Sequence, residues 1–279
     1  MDKYAKEKYH LIRKLGKGAF GSVFLVKKKS DNKEVALKKI VIKGTKKEPI
    51  EMKLEKAKSE INILKDIAKP ECNPNLSCYL DHNILKSDKN AIIYLEMEFI
   101  DGYNIDQYII PFLEENTEIL LKAIYILIKS ICLGLKSIHD KNILHQDIKP
   151  ENIIVDKNTN IPILVDFGLS CITKEKDENS CIFDKCCKSG GTVEYMAPER
   201  ISVESKVGYP KSDVWSLGAT VYYIIFRKHI RDPGRIQVAK IEKINTGTEL
   251  LDNLINGMTE KNIDERFSVD FILEMLKDI

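Results

Sequence analysis

Ile143 to Asn152, ILHQDIKPEN, concentrates a histidine, two acidic residues, a lysine, a proline and two amides in ten positions. These are groups that can take a proton, offset an anion and ligate a cation. Gly16-Lys17-Gly18-Ala19-Phe20-Gly21 is a Gly-x-Gly-x-x-Gly element, whose glycines let the backbone approach a polyphosphate and whose consecutive N–H groups can cradle its oxygens. A glycine turn between two strands is the plainer reading of the same residues. A dinucleotide site would need a helix immediately afterwards, and SVFLV, a strand pattern, comes next instead. In VALK, Lys38 ends a strand pattern, and Glu60 lies on an amphipathic helical pattern. A strand lysine can bind phosphate oxygens when a carboxylate holds its stem, although two solvated surface charges would look the same in sequence.

The elements that must position these groups fall into two parts. Up to about Leu95, short β-branched and aromatic runs (SVFLV, EVALKKIVI, AIIYLEMEF) alternate with turn residues and predict a small antiparallel sheet. Between them, Leu54, Ala57, Ile61 and Leu64 recur at helical spacing with charges opposite. After Gly102, ILLKAIYILIKSICLGLKSIH, SDVWSLGATVYYIIF and LLDNLINGM read as helices, the first two apolar nearly all round and expected to be buried. The β-rich part meets the α-rich part near Phe99 to Gly102, and Thr173 to Ser189 reads as a charged, cysteine-rich loop.

At 279 residues and 43% hydrophobic, the chain has material for one large domain or two lobes. A net charge of +2 creates no global field for nucleic acid or an anionic membrane, and Lys129 interrupts the most apolar run short of a membrane span. Seven cysteines without an apolar leader lead us to expect reduced thiols and a cytoplasmic or other reducing compartment.

GKGAFGSV, VALK, a helical Glu, HQDIKPEN, Asp166-Phe167-Gly168 and Ala197-Pro198-Glu199 occur in the order and approximate spacing of the eukaryotic protein kinases, which the chain resembles from about Tyr9 to Leu276. The resemblance implies an α+β, bilobal protein kinase-like fold in a single domain spanning residues 1–279. A small antiparallel N-lobe with one main helix (about 9–99) would join, by a hinge (about 98–104), a larger, mainly helical C-lobe (about 105–279).

It implies transfer of the γ-phosphate of ATP to protein serine or threonine hydroxyls, with Mg²⁺, or Mn²⁺ in its place. Gly16, Lys17, Gly18, Ala19, Phe20 and Gly21 would cover the phosphates, and Lys38, oriented by Glu60, would hold two of them. Asp166 and Asn152 would hold the metal, Asp147 would receive the hydroxyl proton, and Lys149 would neutralise the moving phosphoryl group. Val23, Ala36 and Ile154 would sandwich adenine, with Met97 behind it and backbone groups of Glu98 and Ile100 at its edge.

Lys149 within DIKPEN, and Thr192 as a brace for Asp147 and Lys149, resemble the serine/threonine branch; dual specificity stays open. Glu151 hints at a basic peptide, whereas Asn104 replaces an acidic residue at the hinge and Met196 departs from the proline-directed pattern. Glu199 would pair with Arg266, Asp213 would bond the catalytic-loop backbone, and Leu64, Tyr79, His145 and Phe167 would stack. Gln146 stands where many relatives carry a phosphate-pairing arginine, so phosphorylation between Asp166 and Glu199 is not the expected on-switch. Cys171, Cys181, Cys186 and Cys187 lack zinc-knuckle spacing, leaving zinc, redox sensitivity or ordinary thiols as readings. The rival functions are a pseudokinase scaffold and a small-molecule kinase.

Overall fold

The computed structural model describes residues 2–18, 21–44, 49–87, 90–111, 117–173, 181–182, 190–201, 207–230, 244 and 246–279. The chain forms two compact units, 1–72 with 77–101, and 73–76 with 102–279.

The first unit opens with helix α1 (Lys3–Lys8), which the periodicity does not announce. Asp2 explains it: its carboxylate caps the helix at Ala5 N–H (3.1 Å), takes Lys39 Nζ at 2.7 Å and accepts the Tyr94 hydroxyl. Five strands come after it: β1 (Tyr9–Gly18), β2 (Gly21–Lys28), β3 (Glu34–Lys43), β4 (Tyr79–Lys86) and β5 (Asn90–Glu98). They form an antiparallel sheet in the order β1-β2-β3-β5-β4. Ala5, Tyr9, Val26, Val35, Leu37 and Tyr94 make a core on it. Helix α2 (Ile50–Ile67) buries Leu54, Ala57, Ile61 and Leu64, the stripe its spacing predicts.

In this unit the expectation of uniformly reduced thiols fails. Cys72 and Cys78 form a disulfide, with Cα atoms 5.9 Å apart. An odd cysteine count carries no information about a pair separated by so short a turn, which depends on local backbone path.

The second unit begins with β6 (Gly102–Asn104) and α3 (Ile105–Ile109), capped by Asn104. Helix α4 (Thr117–His139) buries Ile124, Leu127, Ile128, Ile131, Leu135 and Ile138. It is not buried all round: Ile119, Ile126 and Leu133 remain 38–48% exposed on a seven-residue repeat. Strands β7 (Ile143–Leu144), β8 (Ile153–Asp156), β9 (Pro162–Leu164) and β10 (Cys171–Ile172) frame the polar segments. Here β6, β8 and β9 form one small sheet, and β10 pairs with β7.

Part of the segment read as a loop is a strand, β11 (Cys181–Ile182), paired with β12 (Val207–Gly208) after the short helix α5 (Pro198–Ile201). Helices α6 (Pro210–Phe226), α7 (Glu249–Met258) and α8 (Val269–Met275) complete the unit. Trp215 anchors a core of Tyr195, Ala197, Ala219 and Ile230. Among the described residues, no helix is long and apolar enough to cross a membrane.

The two faces of α4 differ enough to test. Leu127→Ala, at a position without solvent exposure, should cost about 2–5 kcal/mol, whereas Ile126→Ala one residue earlier should stay within about 0.5 kcal/mol. Urea unfolding of both variants measures the contrast.

Candidate active site

In the first unit the β1–β2 hairpin carries the glycine element, with Gly16 opposite Val23, Lys17 opposite Ser22 and Gly18 opposite Gly21. Ala19 and Phe20 lie outside the described residues. Gly21 is obligatory on close approach: a Cβ there would sit 2.3 Å from the Lys39 carbonyl oxygen. Gly16 has no such constraint, since nothing lies within 4 Å of its would-be Cβ.

Lys38 faces Val23 and Leu95 across β3, and its Nζ meets Glu60 Oε1 of α2 at 2.8 Å. The side chains are 7% and 6% exposed, which rules out a pair of solvated charges. Two charges held this far from water need each other, and the pair fixes a flexible stem in one place. Ala36 registers opposite Met97 on β5, and the Glu98 N–H donates to the Cys78 carbonyl at 2.9 Å. Val23, Ala36, Met97, Glu98 and Ile100 belong to this unit, whereas Ile154 lies in the second, on β8.

In the second unit the site grows from one buried carboxylate. Asp213, in the first turn of α6, accepts the N–H groups of His145 (2.9 Å) and Gln146 (2.8 Å), and His139 Nε2 lies 2.9 Å from Oδ2. Burial alone would raise its proton affinity, but these bonds outweigh it and hold the carboxyl below its ordinary value. Gln146 adopts φ 69°, a left-handed conformation that a non-glycine residue accepts only when its surroundings impose it. The side chain of His145 is wholly buried, edge-on to Phe167 at 5.0 Å, and burial lowers its proton affinity. Its Nδ1 accepts the Asp147 N–H at 3.3 Å.

Past this anchor, Asp147 meets three partners. Lys149 Nζ lies 2.8 Å from its Oδ2, Thr192 donates N–H (3.2 Å) and hydroxyl (3.0 Å) to Oδ1, and Asn152 Nδ2 donates to Oδ2 at 3.1 Å. Lys149 Nζ also donates to Thr192 Oγ1 at 2.7 Å, closing a triangle of carboxylate, ammonium and hydroxyl. Asn152 Nδ2 further donates to the Asp147 carbonyl at 2.7 Å. With its nitrogen so committed, the amide has its Oδ1 to offer a cation.

The β8–β9 hairpin and the bond from Val165 N–H to the Asn152 carbonyl (2.9 Å) bring the backbone immediately before Asp166 against Asn152. Asp166, at φ 62°, accepts the Gly168 N–H at 3.3 Å. One carboxylate and one amide oxygen are hard donors suited to Mg²⁺, which ordinarily takes few protein ligands and completes its shell with water and phosphate oxygens. Among the described residues, no group of three or more His, Cys, Asp or Glu is arranged to hold a metal. Cys186 and Cys187 lie outside those residues, as does the side chain of Cys181. Asn104 is occupied structurally, donating to the Pro150 carbonyl at 2.7 Å.

Glu199 and Arg266 form a two-pronged pair at 2.8 and 3.0 Å, with Ser212 Oγ on Glu199 at 2.6 Å. Arg266 also donates to the carbonyls of Lys211 and Glu260, and its guanidinium lies 5.0 Å from the Trp215 ring. Burial pushes the Glu199 carboxyl upward, and the bonds from Arg266, with those from Ser212 and the backbone, more than reverse that. The residue that sequence reasoning passed over is Arg200, which donates from Nη1 and Nη2 to the carbonyl and side-chain oxygens of Gln146. Its only sequence signal is adjacency to Glu199.

A family model described as "Protein kinase domain" matches residues 9–277. The chain is similar to "Serine/threonine-protein kinase Nek5" of Homo sapiens, 31% identical over 96% of this chain and 36% of that protein. It is also similar to "Serine/threonine-protein kinase Nek1" of Mus musculus, 28% identical over 96% of this chain and 21% of that protein. With "Probable serine/threonine-protein kinase nek3" of Dictyostelium discoideum it shares 33% identity, over 96% of this chain and 23% of that protein. The chain thus spans roughly a third or less of the length of these relatives.

Two measurements probe this framework. Arg266→Met strands the Glu199 carboxylate and should cost about 3–5 kcal/mol in denaturant unfolding. Acidification is the second. His145, Glu199 and Asp213 all bind protons less readily when folded than at their ordinary values of 6.5, 4.5 and 3.8. Their contribution to stability is therefore complete above those values and lost as pH falls through the lower folded ones. Thermal midpoints should begin to decline below pH 6.5 and steepen below 4.5.

Proposed function

The chain belongs to the protein kinase domain family, and from that premise we propose that it transfers the γ-phosphate of ATP to serine or threonine hydroxyls of protein substrates. The observation that carries the reading is the bracing of Asp147 by Thr192 and Lys149, which leaves a carboxylate fixed beside an ammonium and a hydroxyl.

Asp147 orients the incoming hydroxyl and receives its proton as the new O–P bond forms and the bond to the ADP oxygen breaks. Lys149 offsets negative charge spreading over the transferred oxygens, the largest electrostatic demand of this reaction. Lys38, held by Glu60, binds phosphate oxygens of the nucleotide, and the glycines Gly16, Gly18 and Gly21 let backbone approach them. Val23, Ala36 and Met97, all in the first unit, supply apolar surface for the base, with Glu98 and Ile100 offering backbone partners. Asn152 and Asp166 would hold Mg²⁺, which when bound offsets charge on the phosphate oxygens. The serine/threonine choice rests on Lys149 and Thr192, and agrees with the names of the similar proteins.

Transfer from Mg·ATP to generic proteins and a peptide library, read by phosphoamino-acid analysis, tests the proposal. Wild-type chain should yield phosphoserine or phosphothreonine. Asp147→Asn should lower turnover by about 10²–10⁴-fold while nucleotide affinity changes little. Phosphotyrosine as the main product would overturn the acceptor assignment. No transfer by folded, nucleotide-binding protein would overturn the activity in favour of a scaffold.

A further inference from the structure

Arg200 comes directly after Glu199, whose carboxylate is locked by Arg266, so its backbone is fixed at a rigid point. From there its guanidinium reaches three oxygens in two distant stretches of chain. Nη1 donates to the Gln146 carbonyl at 2.7 Å, and Nη2 donates to Gln146 Oε1 at 3.3 Å and to the Gly190 carbonyl at 2.8 Å. Gln146 immediately precedes Asp147. Gly190 lies two residues before Thr192, whose N–H and hydroxyl hold Asp147 Oδ1.

The packing around this point allows little slack. Gly191 has φ 135°, and a Cβ there would meet Met196 Cε at 2.9 Å and the Gln146 carbonyl oxygen at 3.2 Å. Gln146 itself is held on its other side by Asp213 at its N–H (2.8 Å) and by its Nε2 donating to Cys171 Sγ at 3.0 Å. All three acceptors of Arg200 are neutral oxygens, so the contact needs no added anionic group.

We propose that Arg200 is a positioning residue for phosphoryl transfer: its guanidinium ties the backbone before Asp147 to the backbone before Thr192 and thereby sets the Asp147–Thr192–Lys149 geometry. The inference rests on the phosphotransfer reading and adds a residue to it. The planar fork of arginine suits three oxygens in separate stretches of chain, whereas the compact ammonium of lysine cannot span them equally. Loss of the tie frees Thr192 to drift from Asp147, and a displacement near 1 Å at a reacting group can cost about 10²-fold in rate.

The test uses the full chain with Arg200→Ala and Arg200→Lys, assayed well below their unfolding midpoints and normalised to folded, nucleotide-binding protein. Arg200→Ala should lower kcat by about 10- to 100-fold with KM for ATP changed less than about twofold, and Arg200→Lys should fall between. Amide exchange at Thr192 should quicken in Arg200→Ala, because its N–H loses a fixed acceptor. A merely architectural role would lower the unfolding midpoint and leave kcat per folded molecule unaltered, and that result would overturn the proposal. If Arg200→Ala does not fold, the lysine variant carries the same comparison. If the wild-type chain transfers no phosphate, the activity reading fails on its own, and exchange at Thr192 still decides the tie: unchanged protection overturns it.

Discussion

The segment from His145 to Asn152 depends on the carboxylate of Asp213. A peptide N–H buried without a partner is costly, and two consecutive ones, at His145 and Gln146, are satisfied by the two oxygens of a single side chain. Accepting both forces the backbone into a sharp turn, and the left-handed φ of Gln146 is the price. The turn in its turn places the neighbouring groups. The Gln146 carbonyl comes within reach of Arg200, its amide reaches Cys171 on β10, and Asp147 emerges toward Thr192, Lys149 and Asn152. The β7–β10 pairing, Cys171 opposite Leu144, holds the other edge of the same turn.

Among the described residues, the Lys38–Glu60 and Glu199–Arg266 ion pairs each hold a charged group in one place. Lys38 and Glu60 exchange solvation for a fixed ammonium. Glu199 and Arg266 exchange it for a fixed start to α5. Such pairs contribute little net stability relative to apolar packing, because desolvation offsets most of the attraction. What they provide is a single arrangement, since every alternative leaves a charge unpaired. The extra partners of Arg266, two carbonyls and the Trp215 face, mean that the guanidinium has no other low-energy orientation.

Much of this was legible in sequence, for reasons that differ by residue. The helical stripe of α2 and the strand runs can be read from apolar periodicity, which reports directly on the buried face. The triangle around Asp147 is what the kinase resemblance implies, because its members lie in the short motifs that carry that resemblance. Helix α1 was not legible, because its stability comes from Asp2 meeting Lys39 and Tyr94, partners far along the chain. The exposed stripe of Ile119, Ile126 and Leu133 was read as buried because hydropathy cannot distinguish an apolar face that is covered from one that is not. The Cys72–Cys78 bond was hidden for a third reason: it depends on the course of a turn rather than on composition.

Gln146 shows how one departure from a familiar pattern takes its meaning from three dimensions. As a sequence feature it is the loss of a positive charge before Asp147. In the structure that charge is not missing from the neighbourhood; it arrives from Arg200, on a different element, and donates to neutral oxygens rather than to an anion. An arginine at position 146 would present a cation in search of an anion, and would face the guanidinium of Arg200 across a few ångströms of poorly solvated space. A glutamine offers both an acceptor, Oε1 for Arg200, and a donor, Nε2 for Cys171, so a neutral residue satisfies both sides. The pairing of a neutral amide at 146 with a cation at 200 is therefore one electrostatic solution, and neither residue can be interpreted without the other.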